Sequence, residues 1–121
     1  MSNTELAFKT ILLSIDKILL YSSSNSDADD FYHDSKSFDA TMIHFINLGE
    51  MIERIDDDTK NYYSSIPYRD IKNFRNLVAH NYFGIDAEEI WDIIHNHLPT
   101  LKTNIIKILT HMDKKWVKNY T

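Results

Sequence analysis

The chain contains no cysteine, and only two glycines and two prolines occur among its 121 residues. The absence of cysteine excludes disulfide bridges and thiolate metal sites, and it fits a protein of the reducing cytoplasm. Glycine and proline most often interrupt regular structure, so their scarcity favours long helices over many short strands. We therefore expect a cytoplasmic protein of the all-α class.

The sequence also lacks a long apolar run. A membrane-spanning helix needs roughly 20 consecutive apolar residues. The first ten residues, MSNTELAFKT, have no charged segment followed by an apolar one, as a secretion signal has. We expect no membrane partner, and the length suits one domain, so residues 1–121 are predicted to form a single helical domain.

Basic residues are not in excess, since 13 Lys and Arg stand against 18 Asp and Glu, for a net charge of −5. This balance excludes a polycation that coats nucleic acid through bulk charge. The charge is unevenly distributed: residues 1–60 hold five basic and twelve acidic side chains, and residues 61–121 hold eight and six. An anion-binding site is therefore expected in the second half of the chain.

Apolar residues recur at three- and four-residue spacings in several segments, which is typical of amphipathic helices. The first helix has Asn3 or Thr4 as its expected cap, and the polar segment 22–36 after it is predicted to be a mobile loop. The predicted helices cover residues 4–21, 37–55, 67–84, 86–98 and 101–120. They indicate a bundle of four or five helices.

The third and fourth predicted helices have clear end signals. Pro67 suits the first position of the third helix, where its missing N–H costs nothing, and Gly84 suits the C-terminal end. Asp86 and Glu89 form a capping-box pattern at the start of the fourth helix. Pro99 is expected to break or kink that helix before the last one begins.

The stretch FRNLVAHNYF, residues 74–83, places several polar side chains in a short apolar run. At about 100° per residue, one side of this helix is polar and the other is apolar. The polar side contains Arg69, Lys72, Arg75, Asn76 and His80, and the apolar side contains Ile71, Phe74, Leu77 and Val78. Tyr82 is expected on the same helix, beside Arg75. The polar side is either a solvated surface or a phosphate site, and the residue pattern alone leaves both open.

Other histidines give weaker signals. His95 and His97 are two positions apart, so on a helix they point about 200° away from each other. His33 and Asp34 lie in a polar segment without the residue order of a calcium-binding loop. We expect no metal site and no cofactor.

Residues 75–82 resemble the R-x4-H-x-Y motif of the HEPN superfamily, in particular that of the HepT-like toxins. Three further segments resemble the same family: LGEMIERI (48–55), IPYRDIKNFRN (66–76) and YFGIDAEEIWDIIHNHLPTLK (82–102). Together they cover roughly residues 37–110 and are far more specific than an isolated motif.

This resemblance implies a fold, an activity and partners. HepT-like toxins are helical, metal-independent endoribonucleases that form symmetric homodimers with a composite cleft, and their antitoxin is a minimal nucleotidyltransferase (MNT). The resemblance also implies that this antitoxin attaches AMP to Tyr82. The sequence departs from the family pattern at Asn73 and Phe74, where Gly and Met are common, and at Met51, where Ala is usual. These departures concern helix packing more than the motif.

The motif residues suit RNA cleavage, which requires a base, an acid and stabilisation of a charged phosphorane. Histidine exchanges protons near neutral pH, so His80 suits the base or acid role, and Arg75 can hold two phosphate oxygens. Asn76 lies one helical turn before His80 and could orient its ring or the phosphate. One chain supplies one such histidine, whereas a homodimer supplies both the acid and the base.

Three neighbouring residues are predicted to assist. Arg69 and Lys72 are candidates for RNA binding, and Glu50 is either a support of the site or a solvated carboxylate. An AMP group on Tyr82 beside Arg75 would occupy the basic cleft and repel RNA.

Two other functions stay open. The chain could be a non-catalytic subunit that presents a nucleotide or substrate to a partner nucleotidyltransferase, or a helical dimer whose basic side serves only protein contact. The intact set of Arg75, His80 and Tyr82 favours the nuclease, because a scaffold needs no imidazole.

Overall fold

A computed structural model of the chain describes residues 2–120. In this range the chain forms helices and turns and contains no strand, which confirms the all-α class. None of the helices in this range is long and apolar enough to cross a membrane. The helices are α1 (Asn3–Ser22), α2 (Ala28–His33), α3 (Ser35–Ile52), α4 (Asp57–Tyr62), α5 (Tyr68–His80), α6 (Ala87–Asp92), α7 (Leu98–Met112) and α8 (Lys114–Tyr120), with a 3₁₀ turn at Tyr82–Gly84 and a π-helical turn at Ile93–His97.

The four long helices α1, α3, α5 and α7 make the body of the bundle. α3 packs against both α1 and α5, which have little contact with each other, and α7 packs against α1. Their apolar sides meet in a core whose fully buried members include Phe8, Ile15, Met42, Ile105 and Leu109. Because α5 packs mainly on α3, much of its surface remains open to solvent.

The segment 22–36 is not a loop throughout, and the prediction of a mobile loop was wrong. Residues 28–33 form α2, whose first turn is capped by the Asp27 carboxylate accepting from the N–H of Asp30 at 2.8 Å. Phe31 is fully buried, with its ring centroid 5.2 Å from that of Phe38 and 5.7 Å from that of Trp91. A single buried aromatic side chain thus fixes a segment whose composition is otherwise that of a turn.

The cap of α1 also differs from the prediction. Ser2, rather than Asn3 or Thr4, caps the helix, with its hydroxyl accepting from the N–H of Glu5 at 3.1 Å. Ser2 and Glu5 stand three residues apart, which is the spacing of a capping box. The helix therefore begins at Asn3, one residue earlier than predicted.

The C-terminal part of the chain differs from the prediction at two positions. Pro99 does not break the helix, because a wider π-helical turn joins α6 to α7 and Pro99 falls in the first turn of α7, where no N–H is needed. The predicted last helix is divided at Asp113, whose carboxylate caps α8 by accepting from the N–H of Trp116. The same carboxylate binds Lys9 Nζ at 2.9 Å and so links α8 to α1.

Candidate active site

α5 carries the polar motif and is the least buried of the four long helices. Val78 is its one buried residue, and Phe74 is half-buried with its ring edge-on to that of Phe45. Leu77 was predicted on the apolar side but is 42% exposed. Arg69 and His80 lie on the solvent side, so the helix presents polar residues to any molecule that approaches this face.

Gly49 of α3 allows α5 to approach closely at Arg75. A Cβ atom built on Gly49 would lie 2.2 Å from Arg75 Cβ and 2.4 Å from Arg75 Cγ. Neither glycine of the chain has a positive φ, so the requirement at Gly49 is for space and not for backbone freedom. Gly49, the glycine of the LGE segment, therefore sets how close the Cβ atom of Arg75 lies to α3.

Two neighbours hold the Arg75 guanidinium. Arg75 Nη2 donates to Glu50 Oε1 at 3.3 Å, and Arg75 Nη1 donates to Asn76 Oδ1 at 3.1 Å. The pair with Glu50 is partly exposed, and such pairs contribute only about 0–1 kcal/mol to stability. The contact with Glu50 mainly orients the planar Arg75 guanidinium. The Arg75 side chain remains 31% exposed to solvent.

The predicted RNA-binding pair is only partly free. Lys72 Nζ lies 3.3 Å from Glu53 Oε1, in a salt bridge whose two side chains are each 53% exposed. Arg69 is exposed on the same helix. The basic side of α5 is thus partly neutralised by the carboxylates of α3, most of all where Lys72 and Arg75 border that helix.

His80 is the last residue of α5 and its side chain is exposed. Five residues separate it from Arg75, which corresponds to about 7.5 Å along the helix and about 140° around it. Asn76 lies one turn before His80 on the same face, but its amide oxygen is engaged by Arg75. In this structure Asn76 orients the guanidinium, whereas the imidazole is open to a substrate.

Tyr82 does not lie beside Arg75, contrary to the prediction from a helix extended to Gly84. α5 ends at His80, because Asn81 leaves the helical conformation (φ −139°, ψ 41°), and Tyr82 belongs to the 3₁₀ turn. Its hydroxyl donates a hydrogen bond to the Asp39 carboxylate of α3.

The surroundings of Tyr82 keep its phenol protonated. Burial raises the pKa of Tyr82 well above its ordinary value, and the hydrogen bond and negative charge of Asp39 raise it further. The ring packs edge-on to Phe38, with the centroids 5.8 Å apart. Since Asp39 and Glu50 are eleven residues apart on α3, the Tyr82 and Arg75 contacts are separated by about 16 Å of helix axis.

Asp39 was missed by the sequence reasoning. Asp39, Glu50 and Glu53 lie within about 60° of one another around α3, so they form one row of carboxylates. Each contacts a residue of the motif region: Tyr82, Arg75 and Lys72 respectively. The helical spacing was present in the sequence, but only the packing of α3 on α5 shows that this row faces the motif.

His95 and His97 do not form a second site. His95 Nδ1 hydrogen-bonds the carbonyl of Trp91 at 2.9 Å, and His97 lies 3.4 Å from Asp92, both at the surface. Within residues 2–120, no group of three His, Cys, Asp or Glu side chains is placed to hold a metal ion.

Comparison with known families identifies the chain. The model of the family described as Ribonuclease HepT-like matches residues 11–108. The chain belongs to the HepT-like family. The match includes α3, α5 and the 3₁₀ turn, and so it covers each residue of the candidate site described above. The resemblance drawn from the motif is confirmed.

Individual HepT-like relatives carry ribonuclease names. A probable ribonuclease HepT of Thermococcus cleftensis is 30% identical over 80 residues, which are 66% of this chain and 73% of that protein. A Methanocaldococcus jannaschii protein named as a candidate RNase is 28% identical over 107 residues, covering 88% of each chain.

A longer relative places the HepT-like sequence beside another activity. A second M. jannaschii protein, named as a gamma-glutamylcyclotransferase and candidate RNase, is 29% identical over 110 residues. These residues are 91% of this chain but 49% of that protein, so the chain spans about half its length. No solved structure matches the chain. The family places the chain among ribonucleases.

Proposed function

We propose that this chain is a toxin that cleaves RNA without a metal ion, using Arg75 and His80 of α5. The observation that carries the proposal is the Arg75 guanidinium, which Glu50 and Asn76 hold in one direction on the helix whose end exposes His80. An oriented guanidinium suits a phosphate, because its planar fork matches two phosphate oxygens.

The reaction uses the 2′-OH of the RNA as the nucleophile. His80 takes the proton of the 2′-OH as its oxygen attacks the neighbouring phosphorus, and Arg75 stabilises the negative phosphorane. The bond from phosphorus to the 5′ oxygen then breaks, and a second imidazole donates a proton to that oxygen. The products are a 2′,3′-cyclic phosphate and a 5′-hydroxyl end.

The second imidazole comes from a second copy of the chain in a symmetric homodimer. The outward face of α5 carries His80 together with the exposed Leu77, and the turn after it carries Phe83, which is 97% exposed. Exposed apolar side chains beside a polar site are typical of an interface. A two-fold axis beside α5 brings two His80 side chains into one cleft and supplies an acid and a base together.

The proposal is tested by incubating the purified protein with single-stranded RNA in excess EDTA. We expect cleavage that persists in EDTA and leaves 2′,3′-cyclic phosphate ends, seen by mass spectrometry of the fragments. The matched control is the same oligonucleotide with 2′-O-methyl groups, which lacks the nucleophile and is expected to stay intact. Cleavage that stops in EDTA and returns with Mg²⁺ would contradict the mechanism.

We further propose that an MNT antitoxin silences the toxin by transferring AMP from ATP to the Tyr82 hydroxyl. The phenol oxygen forms a bond to the α-phosphorus, pyrophosphate leaves, and the phenol proton passes to Asp39, which already accepts its hydrogen bond. The adduct adds a bulky anion two residues after His80, so it blocks approach of RNA to the end of α5.

Tyr82→Phe is expected to separate cleavage from silencing. The variant loses the hydrogen bond to Asp39, worth about 1 kcal/mol, and keeps RNA cleavage within about threefold of the wild type. After incubation with the MNT, ATP and Mg²⁺, intact mass spectrometry should show added AMP on the wild type and none on the variant. Equal addition of AMP to both proteins would show that Tyr82 is not the acceptor.

A second function is favoured by one contact. Glu50 already occupies part of the Arg75 guanidinium, so the anion site is partly neutralised in the isolated chain. A subunit that presents a nucleotide to a partner nucleotidyltransferase would use such a weak site without needing His80. An absence of cleavage by protein free of AMP, together with AMP binding that His80→Ala leaves unchanged, would support this function over the nuclease.

A further inference from the structure

The outer face of α1 carries three exposed leucines in one line. Leu6, Leu13 and Leu20 are 51%, 47% and 65% exposed, whereas the apolar residues on the opposite face of α1, such as Phe8 and Ile15, are fully buried. The leucines are seven residues apart, so each is displaced only about 20° around the helix from the next. This leucine stripe is not used by the core of its own chain.

The leucine stripe is separate from the candidate active site. On one side of it α1 borders α3, and on the other side Lys9 and Asp16 bind Asp113 and Lys102, which belong to the α7–α8 region. α5 packs on α3 and has little contact with α1. The leucine stripe and the motif therefore lie on different surfaces of the bundle.

The spacing of the leucines makes the stripe complementary to itself. Leu13 lies midway between Leu6 and Leu20, so an antiparallel pair of α1 helices about a two-fold axis at Leu13 places Leu6 against Leu20 of the second copy. Packed helices are about 8–10 Å apart and their Cα atoms lie about 2.3 Å from each axis, which leaves facing Cα atoms roughly 3–5 Å apart. All three layers are then filled by leucine at once.

The charges on α1 also permit pairing of two copies. The whole chain has a net charge of −5, so two copies repel each other on average. α1 is balanced, however, with Glu5 and Asp16 against Lys9 and Lys17. In the antiparallel arrangement Lys17 lies level with Lys9 of the second copy, and Asp16 lies beside that same Lys9, so a carboxylate accompanies each pair of lysines.

We propose that the leucine stripe is an interface for a second copy of this chain, which packs its own α1 antiparallel across a two-fold axis at Leu13. The interface is small, because a single helix pair buries less than the roughly 800 Å² per partner of a standard interface. It acts in addition to any pairing through α5, and a chain that uses both faces assembles beyond a dimer.

Single-cysteine variants test the arrangement directly, because the natural chain has no cysteine. Leu6→Cys, Leu13→Cys and Leu20→Cys are oxidised separately with copper phenanthroline and separated on a non-reducing gel. We expect a covalent dimer with Leu13→Cys, since disulfides need Cα atoms within about 7 Å. Leu6→Cys alone and Leu20→Cys alone should remain monomeric, because like positions are fourteen residues, or about 21 Å, apart. An equal mixture of these two variants should cross-link.

The control is Thr103→Cys, at an exposed position of α7, which measures cross-linking by random collision. In a second measurement, Leu13→Glu added to both Leu6→Cys and Leu20→Cys should abolish cross-linking of their mixture, while circular dichroism shows that the helices are retained. Cross-linking of all three single variants with themselves would indicate a parallel pair. If no variant cross-links above the Thr103→Cys level, the stripe does not bind a second copy and would be assigned to a different protein. Either result overturns the proposal, and neither depends on whether the protein cleaves RNA.

Discussion

Replacing His80 with alanine is expected to lower the rate of RNA cleavage by roughly 10²–10⁴-fold, the range for loss of a general acid or base. The imidazole is exposed at the end of α5, so its removal leaves the packing on α3 intact. The free energy of unfolding should change by no more than about 0.5 kcal/mol, as for most surface substitutions. Single-turnover cleavage and urea unfolding measure the two quantities on the same preparation.

His95→Ala is the matched control for this variant. His95 is also an exposed helical histidine, but it lies on the π-helical turn away from Arg75 and should keep cleavage within about threefold of the wild type. Refolding wild-type and His80→Ala chains together tests the shared cleft. If only dimers with two imidazoles act, an equal mixture retains about a quarter of the activity, and if each chain acts alone it retains about half. RNA cleavage by His80→Ala at the wild-type rate would contradict the proposed mechanism.

Helix periodicity predicted the four long helices, because each has a continuous buried side. That pattern can be recognised within a short stretch of sequence. The same logic placed Arg75 and His80 on one helix, where the structure has them. It failed where a single contact between distant residues decides the conformation. Phe31 turns a polar segment into α2 by packing on Phe38 and Trp91, and both of these partners lie outside residues 22–36.

The surroundings of the site were less predictable than its residues. A helix continued to Gly84 would bring Tyr82 beside Arg75, but Asn81 ends the helix and the Tyr82 hydroxyl reaches Asp39 instead. A motif residue can be recognised from the local sequence. Its hydrogen-bonding partner, however, depends on which helix packs beside it. The pairing of α3 with α5 was needed before Asp39 could be assigned a role.

Gly49→Ala is expected to be the more damaging of the two glycine-to-alanine changes in the chain. The new Cβ would lie 2.2 Å from Arg75 Cβ, so α3 and α5 must separate or the Arg75 backbone must shift. Overpacking of this kind costs about 1–3 kcal/mol, offset in part by the better helix propensity of alanine, which is worth about 1 kcal/mol. The larger effect should be on cleavage, because displacing a catalytic group by about 1 Å can cost 10²-fold.

Gly84→Ala separates this effect from the general loss of a glycine. A Cβ at Gly84 would meet the side-chain amide of Asn81 at 2.6 Å, and a side-chain amide can rotate away where a helix backbone cannot. Gly84→Ala should therefore unfold within about 0.5 kcal/mol of the wild type and keep its cleavage. In Gly49→Ala, a large loss of cleavage with a small change in the free energy of unfolding would show that Gly49 acts by placing Arg75. Equal cleavage by the two alanine variants would show instead that RNA cleavage does not depend on the position of the guanidinium, and Arg75 would lose its proposed role.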